Sequence, residues 1–188
     1  MERLTDAVID YVLWLDALAI ELVLRLRSPL VTEIMNSVTG LGAVSAGLVF
    51  VGLFYLAGWR EEFLVTLVAL AITGTVVAAL MAIVQRPFPP QPVCLSGEAA
   101  TTSFPSGHAA AVAAYATIAR SSDQLPFGVT AVLAVLVAFS RVYLGTHYLS
   151  DTLFGILLGI AAAILARRLI LRIDVDALFA RLPIELRI

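Results

Sequence analysis

Both histidines of the chain, His108 and His147, stand in short polar stretches between long apolar runs. The second lies in "SRVYLGTHYLSD", four residues before Asp151. Residues four apart share a face of a helix, so this carboxylate could accept a proton from one imidazole nitrogen. The other nitrogen would then carry a free lone pair, aimed and made more basic. The spacing therefore predicts an oriented histidine that acts as a nucleophile or as a base.

Two arginines, Arg86 and Arg141, belong to the same polar stretches. Their planar guanidinium groups suit tetrahedral oxyanions, and a lipid-exposed position would be unfavourable for them. In "FPSGH", Ser106 can cap a helix while Gly107 lets the backbone approach closely, and the free N–H groups at such a helix end attract anions. Together these features predict a phosphate site. The alternative is an ordinary helix cap that binds no ligand.

Metal binding is the other common use of histidine and carboxylate. Two histidines and one aspartate could hold zinc or iron. Two adjacent guanidinium groups would repel a cation, however, so the sequence predicts no metal site and no cofactor. Cys94 is the only cysteine and cannot form a disulfide within the chain.

The composition is that of an integral membrane protein. Hydrophobic residues make up 61% of the chain and the mean hydropathy is +0.98, whereas soluble domains are about 45–50% apolar. Because a bilayer crossing takes about 20 residues, the 188 residues allow five or six helices in a single membrane-embedded domain, residues 1–188. A net charge of −2 disfavours a nucleic-acid partner. The predicted fold is an all-α helical bundle.

The apolar runs predict about five transmembrane helices. They cover residues 34–59, 63–85, 106–120, 125–140 and 151–166. Residues 1–30 carry Asp6, Asp10 and Glu21 on one side and apolar side chains on the other, which predicts an amphipathic helix in the membrane interface. A sixth transmembrane helix is the alternative for this segment. Residues 174–188 are predicted to form a short amphipathic tail.

Counting crossings brings the polar stretches around Arg86, His108 and Arg141 to one end of the bundle. The opposite end carries a set of basic residues, namely Arg60, Arg120, Arg167, Arg168 and Arg172. The positive-inside rule makes that basic end cytoplasmic. The polar stretches are therefore predicted to face the extracytoplasmic side.

Three motifs carry a resemblance to a known family: "RP" beginning at Arg86, "PSGH" ending at His108, and "SR", five residues, "H", three residues, "D" ending at Asp151. They resemble the signature of the type 2 phosphatidic acid phosphatases. This lipid phosphate phosphatase superfamily also contains polyprenyl diphosphate phosphatases, glucose-6-phosphatase and vanadium haloperoxidases. The family has a lysine seven positions before its arginine, where this chain has Ala79. One phosphate contact of the family is thus predicted to be missing.

The resemblance implies a metal-independent phosphatase with a covalent intermediate. His147, held by Asp151, would attack phosphorus and form a phosphohistidine, while His108 would protonate the leaving oxygen and then activate water. The oxygens of the phosphoryl group would be held by a phosphate-binding set, namely Arg86, Arg141, Ser106 and Gly107.

A site at the rim of a membrane bundle suits a substrate whose tail stays in the bilayer. The predicted substrates are lipid phosphates: a polyprenyl diphosphate or monophosphate, phosphatidic acid or phosphatidylglycerophosphate, with the polyprenyl carriers favoured by family analogy. One alternative is a non-catalytic lipid-phosphate binding or carrier protein, which Ala79 would favour. A structural membrane subunit without a ligand is the other.

Overall fold

The computed structural model describes residues 2–90, 92 and 102–180, and every regular element within these ranges is helical. The helices are α1 (Glu2–Leu26), α2 (Pro29–Thr39), α3 (Val44–Leu56), α4 (Arg60–Val84), α5 (Gly107–Ala119), α6 (Phe127–Tyr143), α7 (Leu149–Ile170) and α8 (Val175–Ala180). A short 3₁₀ turn, Gly40–Gly42, joins α2 to α3. The prediction of an all-α membrane bundle is confirmed.

Two of these helices, α4 with 25 residues and α7 with 22, are long and apolar enough to cross a membrane. The segment predicted as one span over residues 34–59 falls on a pair of helices, α2 and α3, which is bent by 54°. The sequence prediction missed this bend, at which "TGLG" places two glycines, poor helix formers. A Cβ added to Gly42 would lie 2.9 Å from His108 Cβ. The bend therefore brings the chain against the start of α5.

Helices α5 and α6 are apolar but short, with 13 and 17 residues. At 1.5 Å per residue they extend over about 20 and 26 Å, less than the roughly 30 Å of a bilayer core. Neighbouring helices surround α5, whose Ala109, Ala110 and Ala114 are fully buried. Other helices can therefore shield the polar ends of α5. The count of five crossings stays a prediction.

Helix α7 lies unusually close to α5. Gly155 and Gly159 are four residues apart on one face of α7, and a Cβ at these positions would lie 2.4 Å from Ser106 O and 2.0 Å from Ala110 O. Small residues at this spacing let two helix backbones touch. As a result the first turns of the two helices meet, and the Ser106 N–H donates to the Asp151 carbonyl over 3.2 Å.

Helix α1 has three faces rather than two. Asp16 and Val23, two turns apart on one face, are buried against the bundle. Tyr11 and Leu22 of the predicted apolar stripe are exposed, as is Asp10 of the acidic side. Helix α1 is not among the described helices that are long and apolar enough to cross a membrane. An apolar and an acidic surface flanking the buried face fit a helix in the membrane interface.

The C-terminal helix α8 packs at the other end of the bundle. The Phe179 ring contacts that of Phe63 at 6.2 Å between centroids, and Arg60 pairs with Asp176 at 3.0 Å. The remainder of the predicted tail, residues 181–188, and Cys94 lie outside the described residues. That residues 1–188 form one domain stays a prediction.

Candidate active site

His147 lies in the turn between α6 and α7 and is 4% exposed. Its Nδ1 is hydrogen-bonded to the carbonyl oxygen of Ser103. A carbonyl only accepts, so Nδ1 carries the proton and the lone pair is on Nε2. The prediction that Asp151 holds this imidazole was wrong: His147 precedes the first residue of α7, so the helical spacing of four residues does not apply.

Asp151 is fully buried and has a different task. One oxygen accepts the Tyr148 N–H at 2.9 Å, closing a capping box at the start of α7. The other oxygen accepts from Arg86 Nη1. Asp151 therefore fixes where α7 begins and binds one of the predicted phosphate-binding arginines.

Arg86 follows the end of α4 and is held by several groups at once. Its Nη1 also donates to Ser150 Oγ at 2.8 Å, its Nη2 donates to Asp16 Oδ2 at 2.7 Å, and its Cζ lies 3.8 Å from the Tyr148 ring centroid. Burial lowers the pKa of Arg86, but the hydrogen bonds and charges of Asp16 and Asp151 outweigh burial and raise it overall. This guanidinium is permanently charged.

Asp16 is a site residue that sequence reasoning missed. It is 2% exposed, and it also accepts the Ser150 N–H at 2.8 Å and the Ser150 hydroxyl at 2.7 Å. In helical projection it falls outside the cluster formed by Asp6, Asp10 and Glu21. This separation from the other acids of α1 is the sequence feature from which a distinct role for Asp16 could have been predicted.

Arg141, in the last turn of α6, is 2% exposed and donates from Nη1 to Thr39 Oγ1 at 2.9 Å. Its carbonyl accepts the His147 N–H at 3.2 Å, which closes the turn. Burial and, to a smaller extent, the charges of Arg141 and His108 lower the pKa of His147 to about 3, against the opposing effect of the hydrogen bond to Ser103. The two imidazoles and this guanidinium are thus close enough to act on one another, and His147 is neutral at physiological pH.

Ser106 caps α5, as predicted, with its Oγ accepting the Ala109 N–H at 3.4 Å. The next residue, Gly107, has room for a side chain, because an added Cβ would lie 3.5 Å from Val77 Cγ1. Protein packing alone therefore does not require glycine there. Its close approach to a phosphate stays a prediction.

Ser103 is the second residue that sequence reasoning missed. Its N–H donates to the Arg86 carbonyl at 2.8 Å, its hydroxyl donates to the Pro87 carbonyl at 3.0 Å, and its own carbonyl holds His147. It thereby joins the segment after α4 to the segment before α5. No residue type signals this task, since backbone atoms perform most of it.

Ala79, at the position of the family lysine, is exposed on α4 two turns before Arg86. In the described part of the chain, no three His, Cys, Asp or Glu side chains are grouped so as to hold a metal ion. The groups gathered at this end of the bundle are two guanidiniums, two imidazoles, the capped start of α5 and the two carboxylates that bind Arg86. Chemically, this set suits an oxyanion.

Comparison with known proteins finds a matching family model and several relatives. The family model described as the PAP2 superfamily matches residues 62–173. Phosphatidylglycerophosphatase B of Bacillus subtilis (strain 168) is 33% identical over a 158-residue alignment, and the match covers 72% of this chain and 73% of that protein. Decaprenylphosphoryl-5-phosphoribose phosphatase of Mycobacterium tuberculosis is 32% identical over 114 residues, 60% of this chain and 63% of that protein.

A solved structure shares the fold. It is the crystal structure of the first transmembrane PAP2 type phosphatidylglycerolphosphate phosphatase from Bacillus subtilis, which has 28% sequence identity and a TM-score of 0.70. The match covers 85% of this chain and 86% of the other.

Proposed function

Because the chain belongs to the PAP2 superfamily and is a membrane phosphatase that hydrolyses phosphate esters, we propose that it acts on a lipid phosphate through a phosphohistidine formed on His147. One observation supports this most directly. The Ser103 carbonyl accepts a hydrogen bond from the Nδ1–H of a buried imidazole, so the lone pair is on Nε2. A neutral imidazole held in one tautomer is ready to attack phosphorus.

In the first step, Nε2 of His147 attacks phosphorus in line with the leaving oxygen of the lipid. The bond from phosphorus to that oxygen breaks as the bond from nitrogen to phosphorus forms, and His108, which enters this step as the protonated imidazolium, gives the leaving oxygen a proton and becomes neutral. In the second step, His108 takes a proton from water, whose oxygen attacks phosphorus and breaks the bond to nitrogen. A lipid monophosphate gives the lipid alcohol and inorganic phosphate, and a lipid diphosphate gives the lipid monophosphate and inorganic phosphate.

The phosphoryl group is transferred from the leaving oxygen of the lipid to His147 Nε2 and then to the oxygen of water. The negative charge on its other oxygens must be stabilised during both transfers. Arg141 is suited to this because it is buried beside His147 and its guanidinium is fixed by Thr39. The Ser106 hydroxyl accepts the cap hydrogen bond and still has its own proton to donate. Arg86 and the Gly107 N–H complete the proposed phosphate-binding set.

For the substrate, we favour a polyprenyl monophosphate or diphosphate on the extracytoplasmic face. One relative is named for a phosphatidylglycerophosphate and another for a decaprenylphosphoryl compound, so a phosphate joined to a lipid is what these names share. Arg60 and Arg167 lie at the opposite end of the bundle from the site, and a basic end is favoured on the cytoplasmic side. Ala79, the feature that favoured a carrier without turnover, lies on the exposed face of α4 and lends that alternative no structural support.

Purified protein in detergent with EDTA, offered a panel of lipid phosphates, tests the proposal. The panel holds a polyprenyl diphosphate, a polyprenyl monophosphate, phosphatidic acid and phosphatidylglycerophosphate. Wild type should release phosphate and, with a substrate labelled with ³²P, should carry label on histidine after rapid quenching. His147→Ala should lose both signals, whereas Asp10→Asn, a change on the exposed side of α1, should keep them. Release that persists in His147→Ala would rule out this nucleophile, and release from no lipid would rule out the function.

A further inference from the structure

Asp16 is a buried carboxylate on a helix whose other acids are exposed. Its two oxygens accept from Arg86 Nη2, from the Ser150 hydroxyl and from the Ser150 N–H, at 2.7, 2.7 and 2.8 Å. A carboxylate removed from water is costly unless it is paired in this way, and an apolar side chain would fill the same space at less cost. The position therefore requires an explanation beyond packing.

The contacts of Arg86 indicate what Asp16 does. Nη1 donates to Asp151 and to Ser150, and Nη2 donates to Asp16. Because Ser150 Oγ and Asp16 Oδ2 are hydrogen-bonded to each other at 2.7 Å, they lie side by side along the edge that Nη1 and Nη2 share. Within the described residues, the Nε–H and the other Nη2–H have no acceptor. These two groups point along one edge of the guanidinium plane, the arrangement that binds two oxygens of a phosphoryl group. The Tyr148 ring covers one face of that plane.

Arg86 is also tied to the proposed nucleophile. Its carbonyl accepts the Ser103 N–H at 2.8 Å, and the Ser103 carbonyl holds His147. A shift of Arg86 would therefore move a phosphate contact and the support of the imidazole together. Helix α1 lies outside residues 62–173, the segment matched by the family.

We infer that Asp16 is a positioning residue that acts through Arg86: it fixes the guanidinium so that the Nε and Nη2 edge faces the phosphoryl group of the substrate. This inference rests on the proposed role of Arg86 in phosphate binding. It makes α1 part of the functional site, although none of the three signature motifs lies on that helix.

The direction in which phosphate binding changes on removal of Asp16 distinguishes a role in orienting Arg86 from a purely electrostatic effect of the carboxylate. If only charge mattered, a carboxylate beside the phosphate would repel it, and removing Asp16 would tighten phosphate binding. If Asp16 holds the guanidinium, removing it frees Arg86 to rotate and weakens both binding and turnover. A variant that lacks the charge and keeps the shape decides between these outcomes.

The variant is Asp16→Asn, which lacks the charge and keeps only one acceptor oxygen, so that either Arg86 Nη2 or the Ser150 N–H loses its acceptor. Steady-state kinetics on the best lipid phosphate should show kcat/KM lower by about tenfold or more, bounded by the roughly 10²–10³ that loss of a whole donor costs. Inorganic phosphate should raise the Tm of wild type and raise that of the variant less. Asp16→Glu, which restores the charge at a longer reach, should recover part of the kcat/KM.

Two controls separate positioning from general stability. Val23→Ala removes a buried side chain from the same helix, where it packs beside Met35 and Val142, so it should lower the Tm and leave KM unchanged. In an Arg86→Lys background, which lacks the planar fork, adding Asp16→Asn should cost much less than it does in wild type.

The inference is wrong if Asp16→Asn leaves kcat/KM and the phosphate-induced shift in Tm unchanged, or if it tightens phosphate binding. It is also wrong if Val23→Ala, at an equal loss of Tm, lowers kcat/KM as much. None of these results touches the proposed function, which depends on turnover by wild type and its loss in His147→Ala. An inactive wild type would remove the proposed function, while the phosphate-induced shift in Tm still reports on Asp16.

Discussion

At the scale of single residues, a backbone carbonyl performs the task that the sequence assigned to a carboxylate. The residue types of the motifs predicted the imidazoles, the guanidiniums and the Ser106 cap, because these side chains carry their chemistry with them. They did not predict the hydrogen bond from His147 to Ser103, since every residue has a carbonyl and only the fold selects one. Asp151, freed from that task, binds Arg86.

The burial of His147 should make stability depend on pH. Its pKa is lowered from 6.5 to about 3, chiefly by burial and then by the charge of Arg141. Between these values the unfolded chain binds a proton that the folded chain does not, so this contribution to stability is present above pH 6.5 and is lost as the pH falls toward 3.

We therefore expect the Tm in detergent to fall between pH 7 and pH 4, and to fall less in His147→Gln, which has no proton to bind. Thermal unfolding of both proteins across that range is the measurement. Parallel profiles for the two proteins would mean that the imidazole of His147 titrates alike in the folded and unfolded chains.

At the scale of helices, hydropathy predicted α4 to α7 to within a few residues at most ends but missed the bend between α2 and α3. The run from Ile34 to Trp59 contains no charge, so nothing in its polarity marks an interruption. The reason for the bend is tertiary: at Gly42 the backbone lies against His108. A contact between residues so far apart in sequence leaves no periodic pattern in either segment.

The same turn offers a matched pair of substitutions. A Cβ at Gly42 would lie 2.9 Å from His108 Cβ and 3.0 Å from Val137 Cγ1, whereas a Cβ at Gly40 would meet nothing within 4 Å. Gly42→Ala should displace the first turn of α5, and we expect kcat to fall by about tenfold, because a displacement near 1 Å can cost up to 10² in rate. Gly40→Ala should leave kcat at the wild-type value. Equal kinetics for both variants would show that the contact with His108 does not position the proposed acid.

At the scale of the whole molecule, composition predicted the membrane bundle, and counting crossings placed the motifs at one end. Contacts now join these parts directly: Arg86 to Asp151, Ser103 to His147 and Ser106 to Asp151. Counting could not reveal the contribution of α1, because a helix predicted to lie in the interface adds no crossing to the count.

The orientation of the bundle is open to labelling with cysteine. In a Cys94→Ser background, which has no other cysteine, single cysteines can replace exposed residues at each end: Pro90→Cys after α4 and Gln124→Cys between α5 and α6. A membrane-impermeant maleimide added to intact cells should label Pro90→Cys and spare Gln124→Cys until the membrane is opened. The reverse pattern would place the site on the cytoplasmic side.

The ion pair between Asp16 and Arg86 also limits how such chains can be recombined. A hybrid could take its first helix from one parent protein and the segment equivalent to residues 62–173 from another. Its acid and its arginine would then come from proteins in which they had never been paired. Where the donor helix has no carboxylate at the position of Asp16, the hybrid could fold and still bind its substrate weakly. The acid and the arginine have to be exchanged as one unit.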